Sequence, residues 1–332
     1  MRFRGLDLNL LVALDALLDE RSVTAAGRKL HLSQSATSSA LGRLRRHFGD
    51  RLLVSVGRHM ELTPYGAKLS GAVRAILLQI DASLKSPADF DPRTSARRFT
   101  IAASDYAINV LLLEVQRRCA RLAPHIGLEI MPVLDSALNA LHRGEIDLLI
   151  LPDRYRLEAC PSEVLFEDRL VCVAARGNRE VSGSLTLEAF KRADHVTFQP
   201  DPGHVIAFDA WLRQHYSFSP SVKLALPSYS LLPFGVVGTM RIATIPARLA
   251  RLYAATLPIR IVEPAFPMPP MIEILQWHAA HADDAGLRWL RSVIDEVAND
   301  RRRDDAAQQR PAGAARRLRS ARARPPRGVK PS

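Results

Sequence analysis

The chain has 332 residues, of which 47% are hydrophobic, and it carries a formal net charge of +12. This length exceeds what one hydrophobic core usually sustains, so we expect two or three domains. Residues 1–85 hold 13 Lys and Arg against 7 Asp and Glu, residues 86–300 hold 22 against 25, and residues 301–332 hold 11 against 2. The basic N-terminal part favours binding to a polyanion such as nucleic acid. The near-neutral middle argues against a protein that coats nucleic acid non-specifically along its whole length.

The cysteines argue against disulfide or zinc chemistry. They are odd in number and form no CxxC pair: Cys119, Cys160 and Cys172. His278 and His281 form only a weak metal motif, so we expect no metal and no cofactor. Acidic residues such as Asp7 interrupt the apolar run near the N-terminus, and no stretch approaches about eighteen apolar residues. We therefore expect no signal peptide and no membrane span, and a cytoplasmic, nucleoid-associated protein.

Three short helices are predicted at the N-terminus. Asp7 can cap a leucine-rich first helix that runs through Leu18, Ser22 or Thr24 begins the second, and Ser33 caps the third. A tight polar turn separates the second and third helices, so residues 23–48 read as a helix-turn-helix that fits a DNA major groove.

On the third helix, the predicted faces differ in polarity. The residues expected to face inward are Ala36, Ala40, Leu41, Leu44 and Phe48, and those expected to face outward are Ser35, Ser38, Ser39, Gly42 and Arg46. Small polar residues at the helix start can approach base edges, and arginines near its end can reach phosphates.

A wing and a long helix come next in the chain. Residues 51–62 read as two short strands around Gly57, with Arg58 and His59 at the tip. Thr63 and Pro64 form a helix start, and the helix carries Leu69, Val73, Ile76 and Ile80 at near-heptad spacing. We interpret this helix as a dimerisation helix; the alternative is that its apolar face packs on its own domain.

From Arg97 onward, strands alternate with helices. The candidate strands span residues 98–103, 128–133, 147–151, 170–174, 195–198, 222–225, 242–245 and 259–262. This alternation predicts open, parallel-type sheets, whose ligands bind beyond the carboxyl ends of the strands. Two such units, with the chain crossing near Glu167 and returning near Pro264, would enclose a cleft. Its lining mixes aromatic, apolar and hydrogen-bonding groups without a glycine-rich phosphate loop, which favours a small aromatic or carboxylate-bearing ligand.

The N-terminal residues resemble those of the LysR-type transcriptional regulators. The resemblance is carried by Ala25-Ala26, Leu30, Ser33-Gln34, Ser38, Leu44 and Leu62-Thr63-Pro64-Tyr65-Gly66, and it covers roughly residues 5–298. Within that family, residues 3–15, Arg98-Phe99 with Ser104-Asp105, and residues 165–173 resemble the NodD-type branch, whose relatives respond to flavonoids or other aromatic compounds.

The resemblance implies an α/β protein with a winged helix-turn-helix, a linker helix and a two-lobed effector domain like that of periplasmic binding proteins. The implied domains are residues 1–63 for DNA binding, 64–86 for the linker and dimerisation helix, 87–96 for a hinge and 97–298 for effector binding. Lobe I would comprise about 97–166 and 264–298, and lobe II about 167–263. Residues 299–332 would be a basic disordered tail.

The implied DNA-binding residues lie on the third helix, the wing and the start of the linker helix. They are Ser33, Gln34, Ser35, Ser38, Arg43, Arg45, Arg46, Arg58 and Thr63. For Arg45 and Arg46, solvated surface charge is the alternative to phosphate contact.

The implied effector-binding residues lie at or beyond the predicted strand ends. They are Ser104, Asp105, Leu111, Leu134, Arg169, Phe198, Pro227 and Tyr229. Arg169 could anchor an effector carboxylate or form a strand-edge ion pair, and Phe198 and Tyr229 could instead be core residues.

Two departures from the family pattern stand out. Ser35 occupies the place where proline usually follows the glutamine, and Leu52-Leu53 replaces the usual leucine-phenylalanine pair. We expect the serine to alter operator preference rather than abolish binding.

The predicted function is an effector-controlled transcriptional regulator that is not an enzyme. Its expected partners are promoter DNA, a small aromatic or carboxylate effector, further copies in a homodimer or homotetramer, and RNA polymerase, with no membrane partner. The alternative is a solute receptor or enzyme with a basic N-terminal domain. The sequence contains no HExxH, GxSxG, GxGxxG or Walker motif, so catalysis has no candidate residues.

Overall fold

The computed structural model describes residues 7–57, 59–85, 90–181, 183–199 and 207–308. The N-terminal unit comprises α1 (Leu8–Glu20), α2 (Val23–Lys29), α3 (Gln34–Phe48), β1 (Leu53–Val56) and β2 (His59–Leu62). The two strands form an antiparallel hairpin. This confirms the predicted winged helix-turn-helix.

Side-chain caps explain where these helices begin. Asp7 accepts a hydrogen bond from the Asn9 N–H at 2.9 Å, and Ser22 accepts one from the Ala25 N–H at 3.2 Å. Ser33 accepts one from the Ala36 N–H at 3.2 Å. Each cap satisfies a backbone donor that the first helical turn leaves without a partner.

The close packing of α2 on α3 depends on Gly27 and Thr37. Thr37 is fully buried and its hydroxyl donates to the Ser33 carbonyl at 3.0 Å. A Cβ at Gly27 would lie only 3.0 Å from the Thr37 hydroxyl. Thr37, Leu41 and Leu44 form the inward face of α3, so the prediction that Ala36 faces inward is wrong, since Ala36 is exposed.

The long helix α4 (Pro64–Lys85) packs on its own chain. Val73 is buried in the N-terminal core, where Leu69 and Leu77 also pack. Arg74 forms an ion pair with Asp15 of α1, with 2.5 Å between Nε and Oδ1. The alternative interpretation of the apolar face therefore holds for these residues, whereas Ile76 remains 47% exposed.

Two five-stranded sheets build the rest of the molecule. The first, in lobe I, has the order β4-β3-β5-β12-β6 and the second, in lobe II, β11-β7-β10-β8-β9. The lobe I strands are β3 (Arg98–Ala103), β4 (Gly127–Met131), β5 (Leu148–Pro152), β6 (Ser162–Asp168) and β12 (Met271–Gln276). The lobe II strands are β7 (Leu170–Ala175), β8 (Asp194–Phe198), β9 (Ser221–Leu226), β10 (Ile242–Pro246) and β11 (Ile259–Val262).

The two-lobed α/β fold is confirmed, but the sheets are mixed rather than parallel. β12 runs antiparallel to β5 and β6, and β7 runs antiparallel to β10 and β11. The chain leaves lobe I after Asp168, enters lobe II at Leu170, and returns between Val262 and Met271. A strand that returns from the other lobe enters the sheet in the opposite direction, which the alternation of strands and helices alone does not reveal.

The helices cover the two sheets. They are α5 (Asp105–Ala107), a π-helical turn (Ile108–Leu112), α6 (Leu113–Leu122), α7 (Asp135–His142), α8 (Leu187–Arg192), α9 (Ala207–Tyr216), α10 (Leu232–Val236), α11 (Ala247–Ala254) and α12 (Ala285–Gln308). Within the described ranges, no helix has the length and apolarity that a membrane crossing requires.

The last helix corrects the predicted start of the tail. α12 continues to Gln308, so residues 299–308 are helical rather than part of a disordered segment. Arg302 donates a hydrogen bond to the Val164 carbonyl at 2.9 Å and so ties this part of α12 to β6. Residues 309–332 lie outside the described residues.

Gly66 and Gly71, both on α4, give a matched test of the packing between the wing and this helix. A Cβ at Gly66 would lie 2.6 Å from the Leu52 carbonyl oxygen, whereas a Cβ at Gly71 would meet nothing within 4 Å. Gly66→Ala should lower the free energy of unfolding by about 1–3 kcal/mol because backbone must move. Gly71→Ala should be neutral or stabilising by up to about 1 kcal/mol because alanine favours a helix. Chemical denaturation of both variants measures this, and equal effects would contradict the close approach.

Candidate functional site

The start of α3 presents a polar, solvent-facing surface. Ser33, Gln34, Ser35 and Ser38 are all exposed. The Ser33 and Ser35 hydroxyls lie 3.0 Å apart and share a hydrogen bond. The buried face of the same helix holds Leu41 and Leu44, so the polar face is directed away from the core. This arrangement leaves an amide and several hydroxyls available to a partner surface.

Basic residues continue this surface along α3. Arg43 and Arg46 are exposed, as is His59 on the hairpin. Arg58, predicted at the tip of the wing, lies outside the described residues.

Arg45 and Thr63, both predicted to contact DNA, have hydrogen-bond partners within the chain. The Arg45 guanidinium donates to the backbone carbonyls of Arg51 at 2.8 Å and Leu53 at 2.7 Å, so it ties α3 to the hairpin. The Thr63 hydroxyl donates to Asp50 at 2.6 Å and accepts from the Gly66 N–H at 2.9 Å, so it caps α4. Both side chains are half-buried and already engaged within the chain.

A network of hydrogen bonds joins the two lobes around Asp105. Its Oδ2 accepts from the Ser228 hydroxyl at 2.7 Å, the Ser230 N–H at 2.7 Å and the Ser230 hydroxyl at 2.5 Å. Asn109 also donates to the Ser230 hydroxyl at 3.1 Å. Asp105 and Asn109 follow β3 in lobe I, whereas the serines follow β9 in lobe II. We call this set of bonds the interlobe contact.

Tyr229 lies between the two serines of the interlobe contact and stacks on Phe198. The ring centroids are 4.3 Å apart and the planes are inclined by 17°. Beside this pair lies a small open recess of about 20 Å³, room for roughly one water molecule, lined by His195, Val196, Thr197, Phe198, Phe208, Asp209, Pro220, Tyr229 and Thr244. We call it the lobe II pocket. Aromatic rings with a few polar groups are the usual lining of a small-molecule site.

The lobe II pocket is poorly suited to an anion. Among the described residues that line it, none is a lysine or an arginine. Burial raises the pKa of Asp209, so its carboxyl favours the protonated form more than an exposed aspartate does. Burial also lowers the pKa of His195, whose Nε2 donates to the Phe190 carbonyl at 3.0 Å. The lining of this space therefore offers hydrogen-bonding groups and no positive side chain of a lysine or arginine among the described residues.

Asp168 marks the crossover from lobe I to lobe II. Its carboxylate accepts from the Tyr106 hydroxyl at 2.7 Å, the Arg169 N–H at 2.8 Å and the Arg248 N–H at 3.0 Å. Burial raises the pKa of Tyr106, and the Asp168 charge acts in the same direction. Three donors therefore satisfy this buried carboxyl group.

Glu273 is a second buried carboxyl in this region, and its surroundings differ sharply. It is fully buried on β12, and neither oxygen accepts a hydrogen bond from the described residues. Burial raises its pKa to about 8, with a smaller opposing effect of Arg154. A carboxyl without donors in an apolar environment keeps its proton, so Glu273 is a neutral hydrogen-bonding group at neutral pH.

Some predicted effector residues are in other places. Leu111 is fully buried in the lobe I core, because the π-helical turn directs it inward, so the prediction that it lines the cleft is wrong. Arg169 forms a two-contact ion pair with Glu263, one contact being 2.8 Å, so its guanidinium is already engaged by a carboxylate. The alternative of a strand-edge ion pair is therefore the observed one.

The other predicted effector residues fall into two groups. Ser104 caps α5 by accepting from the Ala107 N–H at 3.2 Å, and thereby places Asp105 at the interlobe contact. Leu134 and Pro227 are exposed. Asp105, Phe198 and Tyr229 are thus the predicted residues that the structure brings together.

Sequence reasoning missed Ser230 and Glu273, whereas Ser228 falls in the 226–229 segment that it placed in the cleft. The serines flank Tyr229 directly after a predicted strand, which is a detectable pattern of polar groups at a strand end. Glu273 is the one charged residue in the apolar stretch Met271-Ile272-Glu273-Ile274-Leu275. A lone carboxyl in such a stretch indicates a functional or structural polar site.

The cysteines are poor candidates for redox chemistry. All three are buried, and burial raises the pKa of Cys119 to about 11 and of Cys172 to about 12. Burial likewise raises the pKa of Cys160. Because the thiolate is the reactive form, these thiols are unreactive. Within the described residues, no group of three or more His, Cys, Asp or Glu could hold a metal ion.

Comparison with known proteins gives matches along almost the whole chain. Residues 8–67 match the family model "Bacterial regulatory helix-turn-helix protein, lysR family", and residues 92–299 match "LysR substrate binding domain". Nodulation protein D of a Bradyrhizobium strain is 41% identical over 300 residues, covering 90% of this chain and 89% of that protein.

Solved structures agree with these matches. A probable transcriptional regulator from Pseudomonas aeruginosa is 31% identical, with a TM-score of 0.60 over 89% of this chain and 98% of that one. The regulator LysG of Corynebacterium glutamicum, solved with its effector arginine, is 18% identical, with a TM-score of 0.61 over 89% of this chain and 99% of that one, and shows the same fold.

Glu273 should make stability depend on pH. Its pKa is about 8 in the folded chain and lower when unfolded, so its contribution is complete in acid and is lost as the pH rises towards about 8, by up to about 1.4 kcal/mol per pH unit. Glu273→Gln should remove this loss, so the Tm of the variant relative to the parent should be higher at about pH 8 than at about pH 5. Exposed Glu167→Gln is the control. A Tm difference independent of pH would refute the protonated state of Glu273.

Proposed function

Since the chain belongs to the LysR family of bacterial transcriptional regulators, we propose roles for its individual residues in DNA reading and effector response. The chain is a DNA-binding transcriptional regulator with an effector-binding domain, and it is not an enzyme. Members of the family bind promoter DNA and small-molecule effectors and form oligomers.

For DNA, the proposal gives base reading to Gln34, Ser35 and Ser38 at the start of α3. Arg43 and Arg46 would contact phosphates, together with Arg58 on the wing, and Ser33 would position the helix start. The exposure of this polar face on a helix whose other face is buried is the observation that carries the proposal. A helix of this kind can enter the major groove with its N-terminal residues at the base edges.

For the domain arrangement, we propose that residues 1–63 form the DNA-binding unit and residues 97–298 the effector-binding unit, with α4 between them. Exposed Ile76 on α4 supports a contact with a second copy, since two-fold DNA sites require a paired reader. The proposed assembly is a homodimer or homotetramer that acts at the nucleoid and contacts RNA polymerase at the promoter.

For the effector, we propose a neutral aromatic molecule bearing hydroxyl groups, bound next to the interlobe contact. The stacked Phe198 and Tyr229 supply aromatic surfaces, and the described lining of the pocket offers hydrogen-bonding side chains without a lysine or arginine. A carboxylate-bearing effector is disfavoured, because Arg169 is engaged by Glu263 and an ionised Asp209 in the pocket lining would repel an anion.

For the response, we propose that the effector changes the interlobe contact and that α4 transmits the change. α4 lies directly against lobe I, since a Cβ on Gly144 would overlap Leu78, and it is tied to α1 by the Arg74–Asp15 ion pair. An effector can shift the arrangement of an oligomer only if it binds one arrangement more tightly than the other.

The test is a footprint of the chain on the DNA upstream of its own coding region, with and without effector candidates. Matched pairs of hydroxylated aromatics and their carboxylated analogues should show whether the effector is neutral or anionic. We expect a neutral member to change the footprint or the DNA bend and its carboxylated partner to have no effect at the same concentration. If every binding compound leaves footprint and bend unchanged, the proposed response is refuted.

Gln34→Ala should weaken specific DNA binding selectively. Loss of a base-reading amide is expected to cost about 1–3 kcal/mol on the operator, which is about 5- to 150-fold in Kd. Binding to random DNA of equal length should be unchanged, because that depends on phosphate contacts. Fluorescence anisotropy on both DNAs at fixed salt measures this, with exposed Gln116→Ala of α6 as the control. Equal losses on both DNAs would assign Gln34 to the DNA backbone instead.

A further inference from the structure

Tyr229 occupies a place that belongs to both lobes. It packs against the hydrophobic core of lobe I as well as that of lobe II. The residues on either side of it, Ser228 and Ser230, are the ones that Asp105 holds. The ring is therefore inserted between the lobes, and the interlobe contact keeps it there.

The surroundings of the Tyr229 ring have the features of a site for an aromatic ligand. Phe198 stacks on it at 4.3 Å, and the lobe II pocket begins beside the stacked pair. The phenol ring of Tyr229 occupies the space that an aromatic ligand would take beside Phe198. Such a ligand would have to displace this ring before it could bind.

Glu273 supplies the second observation. Its two buried carboxyl oxygens accept no hydrogen bond from the described residues, which is costly for a buried polar group. Burial raises the pKa of Tyr229, and ionisation of Glu273 or of Asp105 would raise it further. The Glu273 carboxyl thus lies within electrostatic range of the Tyr229 hydroxyl and lacks a hydrogen-bond donor among the described residues.

We propose that Tyr229 is an internal occupant of the effector site, and that a phenol ring of the effector replaces it, stacks on Phe198 and donates its hydroxyl to Glu273. This inference rests on the proposed function and deepens it by naming the residue displaced and the carboxyl that selects the ligand. Displacement moves Tyr229 together with Ser228 and Ser230, so binding breaks the interlobe contact with Asp105. The internal ring also lowers the apparent affinity of the effector, because the site must first be vacated.

The experiment removes the internal ring and supplies a substitute. In the full chain with Tyr229→Ala, the probe is phenol, with toluene of the same size as its apolar counterpart. We expect phenol to raise the Tm of this variant by about 3 to 6 °C at about ten times its Kd. Calorimetry should show phenol binding about five- to tenfold more tightly than toluene, as expected for one added hydrogen bond. The parent chain should bind both more weakly.

The role of Glu273 is tested in the same background. Tyr229→Ala combined with Glu273→Leu should bind phenol and toluene equally, because the accepting carboxyl is gone. Tyr216→Ala is the matched control, since Tyr216 is also a half-buried tyrosine of lobe II, with its hydroxyl bound to the Pro267 carbonyl at 2.9 Å. It should show no preference for phenol that depends on Glu273.

Tyr229→Leu, which keeps apolar bulk, replaces the alanine variant if that variant does not fold. Phenol that binds Tyr229→Ala or Tyr229→Leu no better than the parent chain would overturn the proposal, and so would a phenol preference that survives Glu273→Leu. These measurements need no DNA. Phenol binding as expected, without any effector-dependent footprint, would therefore refute the proposed regulation while leaving the internal occupant established.

Discussion

The buried carboxylate of Asp168 is the constraint on which the two-lobed architecture depends. It lies where the chain passes from one sheet to the other, and it accepts hydrogen bonds from Tyr106 of lobe I and from the backbone at Arg248 of lobe II. A buried charge is tolerated only when donors satisfy it, so each lobe needs the other at this point. The Arg248 guanidinium, which lies 4.1 Å above the Phe166 ring, adds a cation–π contact beside the same crossover. The lobes are thereby held together at this crossover, and the interlobe contact around Asp105 joins them at a second place.

Two sets of contacts between the lobes, together with α4, link the effector domain to the N-terminal unit. The bonds to Asp168 and the interlobe contact are distinct sets of bonds. In the interlobe contact, the Asp105 carboxylate accepts hydrogen bonds from two serine hydroxyls and one backbone N–H. Such bonds can be exchanged for bonds to a ligand or to water, because the net free energy of a hydrogen bond in water is small compared with its strength in isolation. α4 packs against both lobe I and α1, so packed side chains and the Arg74–Asp15 pair connect lobe I with the DNA-binding unit.

Local sequence signals predicted much of this structure, and long-range contacts account for what they missed. Asp7, Ser22 and Ser33 begin the helices where capping chemistry places them, and eight strands could be located from apolar runs. Strands β6 and β12 were not predicted, because their burial depends on pairing with each other across about a hundred residues of intervening chain. The same reason applies to the site. Asp105 and Tyr229 could be proposed because they follow predicted strand ends. The partners of Arg45 are backbone carbonyls and the partner of Arg169 is a distant glutamate, and no local pattern indicates either.

The attachment of Arg45 to the Arg51 and Leu53 carbonyls has a geometrical consequence for operator choice. Because the third helix is fastened to the base of the hairpin, the two elements would meet a DNA duplex at one set separation. Within a single half-site the protein has little freedom to stretch or shorten its footprint. Tolerance of different distances between half-sites must then arise outside this block, in the way neighbouring subunits are joined.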